Sequence, residues 1–383
     1  VTGVQTCALP IWYAPGHRHG RVAVADCLPG TEGWTTLDVL GGCAAPADGV
    51  LFVDLETTGL AGGAGTYAFL VGCGWFDDSG FRLRQFFLPS AAAEGRLLEA
   101  VQTLVETSGC VCLVTYNGKT FDVPVLDTRC VLQRLEPPFA GLAHVDMLHH
   151  ARRLWAVASD AADAESQGCR LTTLERTLCG HEREGDVPGF EIPARYFHFV
   201  RTGDAGPLVP VLEHNRLDIL ALAAVTARAA QLLGGDPDAA TAREALGVAR
   251  LLERAGRDDD AVRWYGRAEQ GRGTCAEALR GHAMLLRRRR QYGEAAEVWR
   301  RLLGVDGCAP ALLREATAAL AVHHEHRVRD LHAARTFALR ALDLEAVPSR
   351  QDAVRHRLDR LERKLRGRAA SASSASSLFG AGS

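Results

Sequence analysis

Four acidic residues and a histidine carry the chemistry open to this 383-residue chain: Asp54, Glu56, Asp122, Asp218 and His214. Asp54 and Glu56 close the run Val50-Leu51-Phe52-Val53-Asp54-Leu55-Glu56, an apolar stretch of strand length that Thr57-Thr58-Gly59 stops. Side chains alternate along a strand, so the two acids share a face at its end. Carboxylates that close repel each other unless a cation lies between them, and an oxygen-only site suits Mg²⁺ or Mn²⁺. Alone, the pair reads more readily as a strand running into a polar loop. Asp122 then follows a second apolar strand and the turn signal Asn117-Gly118-Lys119, at the start of a helix reaching about Leu135. His214 and Asp218 lie four apart in a helical pattern from about Pro207 to Leu233, so they share one face.

The elements that must position these residues can be read along the chain. Ala68 to Phe76 and Phe81 to Leu88 are expected strands, joined by the hairpin turn Asp77-Asp78-Ser79-Gly80. A helix is expected from Ala91 to Thr107, strands at Cys110–Thr115 and Ala143–Asp146, and helical segments with irregular joins from Ala161 to Phe199. Meandering strands followed by strand–helix units describe an α/β domain with a mixed sheet.

The order D-x-E, N-x-x-x-x-D, H-x-x-x-D resembles the three motifs of the DEDD superfamily, the DnaQ-like 3′–5′ exonucleases on a ribonuclease H-like fold. The stretches Tyr13–Gly20, Asp146–Trp155, Leu171–Glu175 and Asp186–Gly189, with a helical-repeat tail, narrow the likeness to YprB-type ribonuclease H-like proteins over about Trp12 to Glu362. The resemblance implies that Asp54, Glu56, Asp122 and Asp218 bind two Mg²⁺ or Mn²⁺ ions, with Asp54 bridging them, and that His214 is the general base. Thr57, Thr58 and Gly59 would run beside the terminal nucleotide, and Asn117 would shape the turn presenting Asp122. Lys119 would meet a phosphate or stand as an exposed turn residue. The histidine subclass spaces its base H-x4-D and the tyrosine subclass Y-x3-D, whereas this chain has histidine at the tyrosine spacing. That leaves His214 open to a second reading, a helix residue bonded to Asp218 and nothing more. The implied function is a metal-dependent 3′–5′ exonuclease acting on single-stranded 3′ ends. A structure-selective endonuclease and a non-catalytic nucleic-acid-binding scaffold are the alternatives, and no residue pattern chooses between DNA and RNA.

The second half repeats. Leu251-Leu252, Ala261 and Tyr265 recur 34 residues later as Leu285-Leu286, Ala295 and Trp299, a period resembling the tetratricopeptide repeat and a possible protein-partner surface. A third unit from Ala319 to Leu342 is displaced by an insertion near His324 to Leu331. The expected organisation is an N-terminal extension over 12–48, a ribonuclease H-like domain over 49–235, helical repeats over 240–366 and a disordered tail over 369–383. Residues 1–11 resemble the in-frame translation of a sequencing adapter and are expected to be foreign to the gene. Net charge is −2, but residues up to Gly235 carry 17 basic and 26 acidic side chains and the remainder 27 and 20. A basic second half could steer a polyanion, and Arg287–Arg290 and the helix Arg355–Arg368 could meet phosphate, or be solvated repeat faces. No C-x-x-C pair occurs among 11 cysteines, which argues against structural zinc or an iron–sulfur cluster and fits a reduced, cytoplasmic location. No apolar run is expected to span a bilayer, since Arg228 interrupts the most apolar helix.

Overall fold

The computed structural model describes residues 8–29, 34–46, 48–59, 65–156, 169–345 and 347–379. Two compact units divide the chain, residues 1–236 and 237–383.

The first unit is built on a six-stranded mixed sheet. Strand β1 (Ala8–Tyr13) precedes a small ribbon of β2 (Arg18–His19) and β3 (Val22–Ala23) and a single turn, α1 (Val24–Cys27). There follow β4 (Val50–Thr57), β5 (Ala68–Asp77), β6 (Gly80–Phe87), α2 (Glu94–Ser108), β7 (Cys112–Thr115), α3 (Asp122–Gln133), β8 (Ala143–Asp146) and α4 (Met147–Leu154). A short α5 (Leu171–Leu174) passes into a π-helical turn at Glu175–Cys179, and α6 (Ile192–Thr202) and α7 (Val209–Gly234) end the unit. Strand order is β1-β6-β5-β4-β7-β8, with β4 antiparallel to β5 and parallel to β7, and β7 parallel to β8. This is the mixed ribonuclease H-like sheet that the sequence predicts. Expected helical character between 161 and 168 lies outside the described residues.

Strand β4 is buried on both faces, which is why it reads as a continuous apolar run. Leu51, Val53 and Leu55 join the core under α2 and α3, with Leu97, Val101 and Leu126. Phe52 faces the other way, 6.0 Å centroid to centroid from Phe76 and edge-on to it. On this second face α7 lies close to the sheet because β5 is thinned by Gly72 and Gly74. A Cβ at Gly74 would stand 2.5 Å from Ile219 Cγ2, inside contact distance.

Three features differ from expectation. Strand β1 joins the sheet as its edge, antiparallel to β6, with Ala8–Ile11 of the supposedly foreign segment facing Leu83–Phe86. Such edge pairing is made by backbone groups and places little demand on side chains, so a sequence pattern need not announce it. The 12–48 extension is not separate from the domain: Trp34, Leu37 and Leu40 are buried, and Trp34 lies 6.0 Å from Phe76. Arg228 does not interrupt the apolar helix. The stretch Gly206–Gly234 contains an 18-residue window of mean hydropathy 1.4, long and apolar enough to cross a bilayer by composition, but 72% of that window is buried within the fold. Its apolar residues cover the sheet.

The second unit is helical: α8 (Ala242–Arg254), α9 (Asp258–Ala268), α10 (Cys275–Arg288), α11 (Tyr292–Leu303), α12 (Pro310–His323), α13 (Leu331–Asp343) and α14 (Pro348–Phe379). A capping box between Thr241 and Glu244 starts it. The 34-residue repeat corresponds to successive helix pairs, with Ala261 and Tyr265 of α9 and Ala295 and Trp299 of α11 all buried. The insertion in the third unit is absorbed as a π-helical turn, His324–Val328, at the end of α12. Residues 369–379, expected to be disordered, continue α14 as helix, which their alanine content permits. Residues 380–383 lie outside the described residues. The basic segments are largely matched within the unit. Arg288 pairs with Glu253 and Asp258, and Arg360 and Lys364 pair with buried Glu325 at 2.8 Å each. Burial opposes ionisation of Glu325, yet these partners hold its carboxyl down at about 2.

Overpacking at Gly74 should be costly, because β5 cannot recede from a sheet packed on both faces. Gly74→Ala is expected to destabilise the chain by about 1–3 kcal/mol in urea unfolding, and an unchanged midpoint would mean that α7 is not held against β5 as described.

Candidate functional site

A row of residues across three strands sets the geometry. Asp54 of β4 faces Gly72 of β5, and Gly72 faces Gln85 of β6. Cross-strand partners share a face, so the glycine leaves a gap between two polar side chains. The fully buried amide of Asn215 on α7 fills it, and a Cβ at Gly72 would overlap that amide. Asn215 Nδ2 donates to Asp54 Oδ2 at 2.9 Å and to the Asp54 carbonyl at 3.2 Å, while Asn215 Oδ1 accepts from Gln85 Nε2 at 2.9 Å. Gln85 Nε2 also donates to the Leu212 carbonyl at 2.7 Å. Helix α7 is thereby indexed to the strand that carries the first acid, which places His214 and Asp218 opposite β4.

Strand β4 ends in a bulge. Glu56 pairs with Leu70 but Thr57 with Ala68, and such a kink re-aims the side chains beside it. Thr57 and Thr58 shape the turn that follows. The Thr57 hydroxyl donates to the Gly59 carbonyl at 2.8 Å, and Thr58 Oγ1 accepts from Tyr67 N at 2.9 Å. Asp122 heads α3 and is buried. The turn before it is held by Asp146, at the end of β8, which accepts from the backbone N–H of Asn117 at 2.8 Å and of Lys119 at 3.1 Å. Asn117 takes a left-handed φ of 68°, a conformation asparagine tolerates, and its side chain accepts from the Thr120 hydroxyl at 2.8 Å. It shapes the turn. Lys119 stands exposed beside it.

On α7, His214 Nδ1 lies 2.6 Å from Asp186 Oδ1, and its Nε2 lies 3.4 Å from Asp218 Oδ2 and 4.0 Å from Glu56 Oε1. A carboxylate only accepts, so Nδ1 carries the proton toward Asp186 and, in the neutral ring, the Nε2 lone pair faces the acids. Arg183 is almost wholly buried and spans three carboxylates: Asp218 Oδ1 at 2.5 Å, Glu175 Oε2 at 2.6 Å and Asp186 Oδ2 at 3.4 Å. Burial opposes its charge, but Asp218 and Glu175 hold the guanidinium protonated beyond its ordinary range.

The acids resist ionisation together. Loss of hydration, followed by the charges of Asp218, Glu56 and Asp122, holds Asp54 well above the usual carboxylate range, against the Asn215 hydrogen bond. Burial, then Asp218, Asp122 and Asp186, does the same to Glu56, with Arg183 offsetting part. Asp122 is pushed up to about 7, chiefly by burial and by Asp146 and Asp218, against backbone N–H bonds from its own amide and that of Leu55. Carboxylates so placed are poorly compensated by one guanidinium and one amide. A hard divalent cation taking oxygen donors fits the deficit, and Asp54, Glu56, Asp122 and Asp218 are the side chains that would hold it.

The five residues singled out by spacing therefore meet, with Thr57, Thr58, Gly59 and Asn117 forming the turns around them. The spacing did not reveal Arg183, Asn215 or Gln85 around the acids, and Asp146, though it opens the recognised Asp146–Trp155 stretch, had no role. Asp186 stood within the recognised Asp-Val-Pro-Gly stretch but without a role.

Residues 51–230 match the family model of the RNase_H superfamily. The chain is 28% identical over 362 residues to the uncharacterized protein YprB of Bacillus subtilis, covering 92% of this chain and 84% of that protein. Among solved structures it is similar to the family B DNA polymerase from the hyperthermophilic archaeon Pyrobaculum calidifontis, with a TM-score of 0.39 and 14% identity over 58% of this chain. It spans 29% of the polymerase.

Because Asp122 is raised from 3.8 to about 7, the folded chain binds its proton more tightly than the unfolded chain, and the resulting stability is present below the ordinary carboxylate value and lost as pH rises through 7. Metal-free protein should therefore melt at higher temperature at pH 5 than at pH 8, and Asp122→Asn should flatten that difference and raise the melting temperature at pH 8 in EDTA. An unaltered pH profile in Asp122→Asn would remove Asp122 from the cluster.

Proposed function

We propose that this chain, whose residues 51–230 match the family model of the RNase_H superfamily, is a metal-dependent nuclease that removes nucleotides from the 3′ end of single-stranded DNA or RNA. The observation that carries the reading is the convergence of Asp54, Glu56, Asp122 and Asp218 beside a histidine already oriented by Asp186. Two Mg²⁺ or Mn²⁺ ions, when bound, would supply Lewis-acid stabilisation of the reacting phosphate and lower the pKa of the attacking water. The four carboxylates would hold them, and Asn215 keeps the Asp54 carboxylate in one orientation through its 2.9 Å bond. His214 would take the proton of the attacking water at Nε2, while Asp186 fixes the tautomer and stabilises the imidazolium that results. The base of this reading stands at H-x3-D spacing, with its Nε2 3.4 Å from Asp218 Oδ2 and so beside the proposed ligands. The backbone of Thr57–Gly59 would lie beside the terminal nucleotide, and exposed Lys119 would be available to a phosphate. The helical unit would recruit a protein partner or guide the strand. Since Arg288, Arg360 and Lys364 are engaged by acids of their own unit, that role falls to its other surfaces.

Purified protein with Mn²⁺ or Mg²⁺ should release mononucleotides from 5′-labelled single strands, shortening them from the 3′ end, and EDTA should stop it. Asp54→Ala or Asp218→Ala should abolish turnover, and activity retained in either variant would refute the site assignment. Cleavage of a circular strand would favour an endonuclease, and binding without cleavage the scaffold reading. His214→Ala should lower kcat by roughly 10²–10⁴-fold. Asp186→Asn should cost roughly 10²-fold or more through the wrong tautomer, and a loss below tenfold for both would assign the proton to another acceptor.

A further inference from the structure

The Tyr13–Gly20 segment carries a histidine that the nuclease reading leaves without a role. His19, in β2, is 6% exposed and reaches Glu175 at the start of the π-helical turn, which is fully buried. His181 follows that turn, its ring stacked on His19 at 4.3 Å between centroids. One donor atom from each of the three residues lies within 4.8 Å of the others. His19 Nε2 and Glu175 Oε1 are 2.7 Å apart, yet neither has a hydrogen-bond partner. They are close enough for an ion pair, but not in hydrogen-bonding geometry, so both buried atoms remain open to a third partner. Leaving both unsatisfied is costly, and a shared cation would satisfy them together.

We propose that His19, Glu175 and His181 form a second metal site, distinct from the four carboxylates, that takes one Zn²⁺-class ion. Two imidazoles and one carboxylate are a borderline donor set with a fourth position open to water, which suits Zn²⁺, whereas the oxygen-only cluster suits Mg²⁺ or Mn²⁺. The surroundings support such a site. Glu175 presents Oε1 inward while its Oε2 accepts from Arg183 Nε at 2.6 Å, the usual arrangement of a ligating carboxylate braced by a neighbour. Arg21 N donates to the Cys179 carbonyl at 2.7 Å, holding the β2–β3 turn on the π-helical turn. Gly20, at φ 62°, permits this approach, since a Cβ there would overlap that carbonyl. The ion would tie the N-terminal ribbon to the segment bearing Arg183. By fixing Glu175 it would also fix the guanidinium that bonds Asp218.

The inference does not rest on the nuclease reading, and its test reads metal directly. Full-length protein exposed to Zn²⁺ and passed through gel filtration should retain about one ion per chain. X-ray absorption of that protein should show two imidazole ligands. Asp54→Asn/Asp218→Asn should keep the ion, and His181→Gln should lose it. An all-oxygen shell, loss of the ion in the double carboxylate variant, retention in His181→Gln, or no retained Zn²⁺ in the wild type would each overturn the proposal. The last result would make His19 and Glu175 an ordinary ion pair. The wild-type absorption spectrum decides the matter even if His181→Gln fails to fold.

Discussion

The amide of Asn215, seated over Gly72 between Asp54 and Gln85, is the contact on which the first unit's site depends. Helix α7 packs on the sheet mainly through apolar side chains, and such packing tolerates sliding and rotation far better than it tolerates an unpaired buried polar group. Asn215 removes that freedom. Its three bonds require one rotation and one height of α7 above β4 and β5, and His214 and Asp218 inherit both. The glycine is part of the same device, because any side chain at 72 would displace the amide.

That lock holds together charges that would otherwise separate. Asp54 and Glu56 are raised by burial and by the charges of Asp218 and Asp122, and Asp122 by burial, Asp146 and Asp218, so the arrangement costs stability that a rigid scaffold must supply. Arg183 relieves part of the strain from the side of Asp218, and is itself braced by Glu175 and Asp186. Asp186 bonds both Arg183 and His214. The arginine that compensates the acids and the histidine proposed as base are thus held by one carboxylate, which couples their positions.

Much of the site was legible in the sequence because its members sit on elements with strong periodic signatures. Asp54 and Glu56 end a buried strand, Asp122 opens a helix after a turn signal, and His214 and Asp218 share a helical face. Asn215 lies between those last two and gives no sign of its role, since an asparagine in a helix is ordinarily a solvated residue. Gln85 and Gly72 are equally silent: their meaning lies in cross-strand register, which depends on pairing rather than on local pattern. Strand β1 escaped because edge pairing is made by backbone. Residues 369–379 read as disordered from their small polar composition, although alanine sustains helix well enough to continue α14.

The sequence by itself determined the α/β class, the repeat period of the second half and the four acids with their histidine, because each is written in spacing along the chain and spacing follows from strand and helix geometry. Tertiary structure alone decided which partners those residues have. Glu175, Arg183 and Asp186 come from one short stretch far in sequence from His19, His214 and Asp218, and His19 meets Glu175 where a backbone bond holds the β2–β3 ribbon to the π-helical turn. The basic residues of the repeats likewise acquired their meaning from folding, which set Glu325 beneath Arg360 and Lys364. Coulomb interactions fall with distance through space and take no account of separation along the chain, so charge compensation is settled only when the fold has formed.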